Sequence, residues 1–347
     1  LIDLMATKLI NLRSFHFNSD NSTNPINPTN PINPTNSSNS SNTYFCWGYS
    51  FPWQTRTLLV PRGAPNLVCT TFVANALLDT YERGSGLNIS STSSDLPAKP
   101  MASAGGAILR PFTSKLTCLD MAISAADYIL NELYWEDGNG VASLSYPLPG
   151  LRTQVHNANF LGAALLSRVY KHTGEKKFLE PALKVARYSA NKQQKDGSWY
   201  YGEHGTQRWV DNFHTGYNLC ALHAIGQYVG TSEFDTHIRR GFEYYRNNFF
   251  REDAPPKYYN NRTYPIDIHS IAQSIITLLE FGDIDADNFE LAHSILSWTM
   301  NHMQNGNGYY YYQKLPAYTV KIPYMRWSQA WMLLALSTLL EHSYASH

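Results

Sequence analysis

Four stretches of this chain follow one plan, and that plan limits what it can fold into. Each opens with a polar turn and enters an apolar helix rich in small residues. A glycine-containing turn leads to a more polar helix, and the unit closes on an aromatic knot. The apolar segments read NANFLGAALLSRVY, YNLCALHAIGQY, IAQSIITLLEF and QAWMLLALSTLL. Their anchors Leu165, Leu222, Leu278 and Leu336 are spaced by 57, 56 and 58 residues. A fixed period longer than one hairpin implies stacked supersecondary units.

The periodicity predicts helices at 66–83, 113–134, 156–172, 176–194, 212–229, 232–249, 267–281, 286–304 and 325–342. The first helix of each pair is apolar nearly all round, so it is expected to be buried on every side. The second, as in FLEPALKVARYSANKQQK, is amphipathic and belongs on the outside. Short turns make each pair antiparallel, so the buried helices all begin at one end of the array. The fold class expected is all-α: an incomplete α/α toroid of about nine to ten helices, joined by short β-hairpin-like aromatic connections. The aromatic knots are DGNGVASLSY, DGSWYYG, PPKYYNN and GNGYYYY, where glycine makes the turn.

Two segments stand outside this plan. Residues 24–35 are two copies of NPINPT, followed by NSSNSSNT; proline at that density forbids helix, and Asn and Ser bury nothing. Residues 1–42 are therefore expected to be a disordered low-complexity tail, and 43–347 a single toroid domain. Residues 84–110 are a second low-complexity insert within it.

Charge removes several functions. The 27 basic and 27 acidic side chains balance, without a basic run, which argues against nucleic acid as a partner. No apolar run is long enough to span a membrane, and the opening LIDLMATKLINLRSFHF lacks the apolar core of a secretion signal. Cys46, Cys69, Cys118 and Cys220 are scattered, as in a reduced cytoplasmic protein, the localisation expected here. HExxH, GxSxG, P-loop and GxGxxG motifs are missing, so neither a metal nor a cofactor is expected.

The starts of the apolar helices carry the chemistry. Asp211 and Asp267 each lie 11 residues before their anchors, His156 and His269 lie 9 before, and His214 lies 8 before. Capping alone explains the aspartates, because side-chain oxygens there accept from free N–H groups. It does not explain three histidines at one level. The expected catalytic set is Asp211, His214, Tyr217, Asp267 and His269. The expected substrate-binding set is His156, Asn157, Asn159, Arg326, Gln329, Trp47, Trp53, Arg56 and Trp209. His, Tyr and carboxylates supply acid/base groups, aromatic faces carry sugar rings, and Arg326 with the helix N-termini suits an anionic group.

From residue 44 onward, WGYSFPWQTR, HNANFLGAALL, QQKDGSWYYGE, WVDNFHTGYNL, YPIDIHSIAQ and IPYMRWSQAWM resemble a bacterial polysaccharide-biosynthesis family, VpsJ-like, grouped with the six-hairpin, α/α-toroid enzymes. NANFLGAALLSRVYKHTGEKKFLEPALKVA is also similar to one hairpin of the glucuronyl C5-epimerase toroid. The resemblance implies a carbohydrate-active protein of exopolysaccharide biosynthesis or modification, acting on a uronic-acid-containing or other anionic glycan, with epimerase, lyase and hydrolase chemistry all open. Its partners would be a glycan or oligosaccharide and other polysaccharide-assembly proteins. The alternative is a non-catalytic glycan-binding or scaffold protein. QQKDGSW also resembles the QW motif of terpene cyclases, but it occurs once, and Asp283, Asp285 and Asp287 do not form the DxDD acid of those enzymes.

Overall fold

The computed structural model describes residues 14–17, 43–55, 58–83, 118–251, 255–285 and 287–345. The described residues group into two compact units: those up to 133 together with 147–150, and 134–146 together with those from 151 onward.

In the first unit, strand β1 (Ser14–Phe17) pairs antiparallel with β2 (Thr43–Cys46), and β3 (Trp53–Gln54) with β4 (Leu59–Val60). Four residues of the expected disordered tail are thus paired backbone; the rest of 1–42 and the 84–110 insert lie outside the described residues. Helix α1 (Leu67–Glu82) starts at Asn66, whose side chain accepts from the Cys69 amide. Helix α2 (Cys118–Tyr128) packs on α1 and β2 and runs into a π-helical turn, Ile129–Leu133.

The second unit opens with the hairpin of β5 (Tyr134–Glu136) and β6 (Ala142–Leu144) and then repeats helical hairpins. The entering helices are α3 (His156–Thr173), α5 (Asn212–Val229), α7 (Ile268–Glu280) and α9 (Trp331–Ala345). The returning helices are α4 (Lys176–Ala190), α6 (Asp235–Phe249) and α8 (Asp287–Met303). Each entering helix packs on the next, α3 on α5, α5 on α7 and α7 on α9, while each returning helix packs on the one before it. Short strands β7 (Ile266–Asp267), β8 (Gln313–Lys314) and β9 (Thr319–Val320) form one small sheet. Of the aromatic knots, DGNGVASLSY supplies β6, whereas DGSWYYG and PPKYYNN make only single bridges.

Local chemistry accounts for the boundaries. Gly174 and Gly230, both at φ +70°, end α3 and α5 in the left-handed conformation that side chains resist. Gly216 lets α5 and α7 approach closely: a Cβ there would stand 2.7 Å from Thr277 Oγ1 and 2.8 Å from Gln273 Cγ. The QQKDGSW motif is a brace. Gln193 Nε2 donates to the carbonyls of Gly197 and His237, and buried Trp199 donates its indole N–H to the Ser189 carbonyl.

Burial follows the pattern for α3, α5 and α7, which are covered along most of their length. It does not for α9. Leu333 (66%), Leu334 (48%) and Leu340 (58%) are exposed, contrary to the expectation that every entering helix is buried all round. Among the described residues no helix is long and apolar enough to cross a membrane.

Candidate functional site

The site is built where α5 and α7 begin. Asp211 is the N-cap of α5, and its Oδ1 accepts from the His214 backbone N–H at 2.9 Å. Its Oδ2 accepts from the Trp209 indole N–H at 3.1 Å and meets His214 Nδ1 at 2.7 Å. A carboxylate only accepts, so this contact places a His214 proton on Nδ1, and in the neutral ring the lone pair is on Nε2. Asp211 is buried, while the His214 side chain keeps 21% of its surface open. Tyr201 lies 4.7 Å from the His214 ring and stacks on Trp209 at the same distance. Burial, and then the Asp211 charge, holds the Tyr201 phenol protonated far above its usual range.

Asp267 does for α7 what Asp211 does for α5. Its Oδ1 accepts from the backbone N–H groups of His269 and Ser270, and its Oδ2 accepts from Gln313 Nε2 at 2.6 Å. Burial raises its pKa to about 6, against the pull of those hydrogen bonds, and the Asp211 charge adds to the rise. His269 is fully enclosed, and burial drives its pKa well below the usual value, with a further push from His214. The ring is therefore neutral, and its Nε2 meets the Tyr217 hydroxyl at 2.5 Å. Phe213 and Trp331 lie nearly parallel to the His269 ring at 4.5 and 4.4 Å, and Trp327 is tilted at 5.3 Å. Residues three apart share a helix face, so His214 and Tyr217 stand together on the first turn of α5, ring centroids 6.1 Å apart.

All five residues expected to be catalytic thus meet, with Trp209 beside them. The structure divides the others. His156 is only 1% exposed; its Nδ1 meets Ser189 Oγ at 3.2 Å and its Nε2 meets Glu203 Oε1 at 2.9 Å. This has the outline of a Ser–His–carboxylate triad, but Ser189 is fully buried and its hydroxyl also accepts from the Asn159 amide. A nucleophile needs access to substrate, so the cluster is a brace between α3 and α4. Asn159 Oδ1 also accepts from Ser143 Oγ and the Leu144 N–H. Asn157, on the first turn of α3, is 5% exposed and leaves its Oδ1 without a hydrogen-bond partner. Gln329 spends its amide on the Tyr310 backbone, donating to the carbonyl and accepting from the N–H. Arg326 is exposed in the π-helical turn Met325–Ala330 that leads into α9. Trp47 is buried in the first unit, Trp53 sits in β3 of that unit, and Arg56 lies outside the described residues.

Gln313, Tyr201 and Trp331 belong to the cluster without having been expected there. Tyr201 lies in an aromatic knot and Gln313 directly after one, far from any repeat anchor, and no spacing rule points to them. Trp331 occupies the place in the fourth repeat that Tyr217 holds in the second, five residues before the anchor, so the period contained that signal.

No family model matches the chain, and no curated protein matches it by sequence. Solved structures do match in fold. A sugar epimerase from a ruminal bacterium aligns over 86% of this chain and 78% of its own, with a TM-score of 0.56 at 10% identity. Cellobiose 2-epimerase from Spirochaeta thermophila aligns over 80% and 71%, at 0.54 and 10%. The unsaturated glucuronyl hydrolase of a Bacillus species aligns over 64% and 68%, at 0.52 and 15%. The fold is an α/α toroid, a scaffold these carbohydrate-processing enzymes share.

Proposed function

We propose that the chain is a carbohydrate-active enzyme that moves a proton on a sugar unit of a glycan, with His214 as the group that takes and returns it. The observation that carries this reading is the Asp211–His214 pair. The carboxylate fixes the imidazole with Nε2 outward and stabilises the imidazolium once a proton arrives. A C–H bond next to a carbonyl, which a uronate carries as its carboxyl and a neutral sugar exposes at an opened reducing end, breaks; its proton goes to His214 Nε2, and its electron pair moves onto the carbonyl oxygen as an enolate. Return of the proton to the opposite face of that carbon, once rotation about the adjoining bond has turned the enolate over, completes an epimerisation; departure of a substituent on the next carbon completes an elimination. Tyr217, held by His269, has oxygen lone pairs that can accept from a sugar hydroxyl. His269 stays neutral and positions Tyr217.

Glycoside hydrolysis by a carboxylate pair suits the geometry less well. Both carboxylates at the site are buried and tied into helix caps, whereas that chemistry needs an acid and a base flanking the scissile bond. A role in exopolysaccharide synthesis or modification is consistent with the sequence resemblance. The test is incubation with a broad glycan panel, followed by NMR for inverted centres, unsaturated sugars and new reducing ends. Inverted centres or unsaturated sugars support the proposal. New reducing ends without them would transfer the assignment to hydrolysis, and no product with any glycan would favour the binding-protein alternative.

A further inference from the structure

The sequence led to an anionic sugar held by helix N-termini and Arg326. The geometry points to a different occupant: we infer that the sugar unit meeting His214 is neutral and lies with one face on Trp327. This rests on the site proposed above and names its substrate class.

Three observations converge. First, the positive ends of α5 and α7 are closed by the chain itself. The N–H groups of His214, His269 and Ser270, which would hold a ligand carboxylate, are bonded to Asp211 and Asp267. Second, the local charge has the wrong sign for a uronate. The two aspartates already repel each other enough to contribute to the rise of Asp267, and His269 is neutral. A third carboxylate would enter the field of two others, and the buried His269 ring offers it no charge. Third, the surroundings are aromatic. Trp327 is 45% exposed and 5.3 Å from His269, and the stacked Tyr201–Trp209 pair flanks His214. An exposed indole face beside acid/base groups matches the C–H face of an uncharged pyranose, which buries apolar hydrogens and leaves hydroxyls for Tyr217 and His214. Arg326, next to Trp327 in the chain, is the one feature that favours an anion, so it belongs in the test.

Tryptophan fluorescence and calorimetric titrations with neutral cello- and manno-oligosaccharides, and with oligogalacturonate and oligomannuronate of equal length, decide the matter. We expect the neutral series to bind and the uronates to bind at least about tenfold more weakly, Trp327→Ala to weaken neutral binding about tenfold, and Trp327→Phe to restore most of it. Arg326→Ala should leave neutral binding unchanged. Uronates binding as tightly as neutral sugars, loss of that binding in Arg326→Ala, an unchanged Trp327→Ala variant, or no neutral binding by folded protein would each overturn the inference. Neutral sugars bound through Trp327 with no product would uphold it and sink the enzymatic reading. Turnover of uronates would do the reverse.

Discussion

Two histidine clusters sit on the first turns of successive entering helices, and they do opposite jobs. At the start of α3, His156 is sealed between Ser189 and Glu203. At the start of α5, His214 is fixed on one side by Asp211 and left open on the other. Both pair an imidazole with a carboxylate at under 3 Å, so the pair itself does not mark a reactive site. What separates them is which nitrogen retains a lone pair facing outward. Both ring nitrogens of His156 are bonded within the protein, whereas at α5 the cap uses one nitrogen and leaves the other.

The sharpest way to break this contrast is to compare the two clusters by turnover. On the proton-transfer substrate, His214→Ala is expected to reduce kcat by about 10²-fold or more while the melting temperature holds, whereas Ser189→Ala leaves kcat unchanged. Equal loss in both variants would mean that the sealed cluster also takes part. Stability should show the reverse ranking. His156→Ala strands Glu203 and Ser189 and is expected to cost about 1–3 kcal/mol in denaturant unfolding; His214→Ala should cost less, because its ring is partly open to water.

The clusters also carry opposite pH signatures. The His156 hydrogen bond holds Glu203 at about 2, below its ordinary 4.5, so its contribution is complete above pH 4.5 and is lost as pH falls toward 2. Burial holds Asp267 at about 6, above its ordinary 3.8, so the folded state keeps the proton better than the unfolded one, and stability declines as pH rises from 3.8 through 6. Unfolding free energy measured from pH 3 to 7 should therefore lose its acid-side fall in Glu203→Gln and its decline between pH 4 and 6 in Asp267→Asn. The same slope change in both would contradict the assignment. The smallest effect belongs to Lys192, whose exposed ammonium lies 3.3 Å from Glu203: Lys192→Ala is expected to change stability by about 0.5 kcal/mol or less.

The repeat made the helices legible, since an apolar stripe at a fixed period has few other solutions, and α3 to α8 begin within three residues of their expected positions. It made the caps legible too: Asp211 and Asp267 stand directly before the first helical residue and do what carboxylates do there. It could not separate His156 from His214. That difference depends on Glu203 and Ser189, which reach His156 from other elements, and long-range partners leave no periodic trace. Gln313 escaped notice for the same reason. The exposure of Leu333, Leu334 and Leu340 on α9 was hidden because an apolar helix reads identically whether or not its faces are covered.

The central claim, proton transfer by His214, is most directly tested by solvent-deuterium exchange. The folded protein is incubated with the glycan panel in deuterated water, and the sugar is examined by NMR and mass spectrometry alongside the His214→Gln variant. The account predicts deuterium at one ring carbon with the native protein and its loss in the variant, whose circular dichroism and melting temperature match the native values. Deuterium uptake that persists undiminished without the imidazole, or none with any glycan, would contradict it.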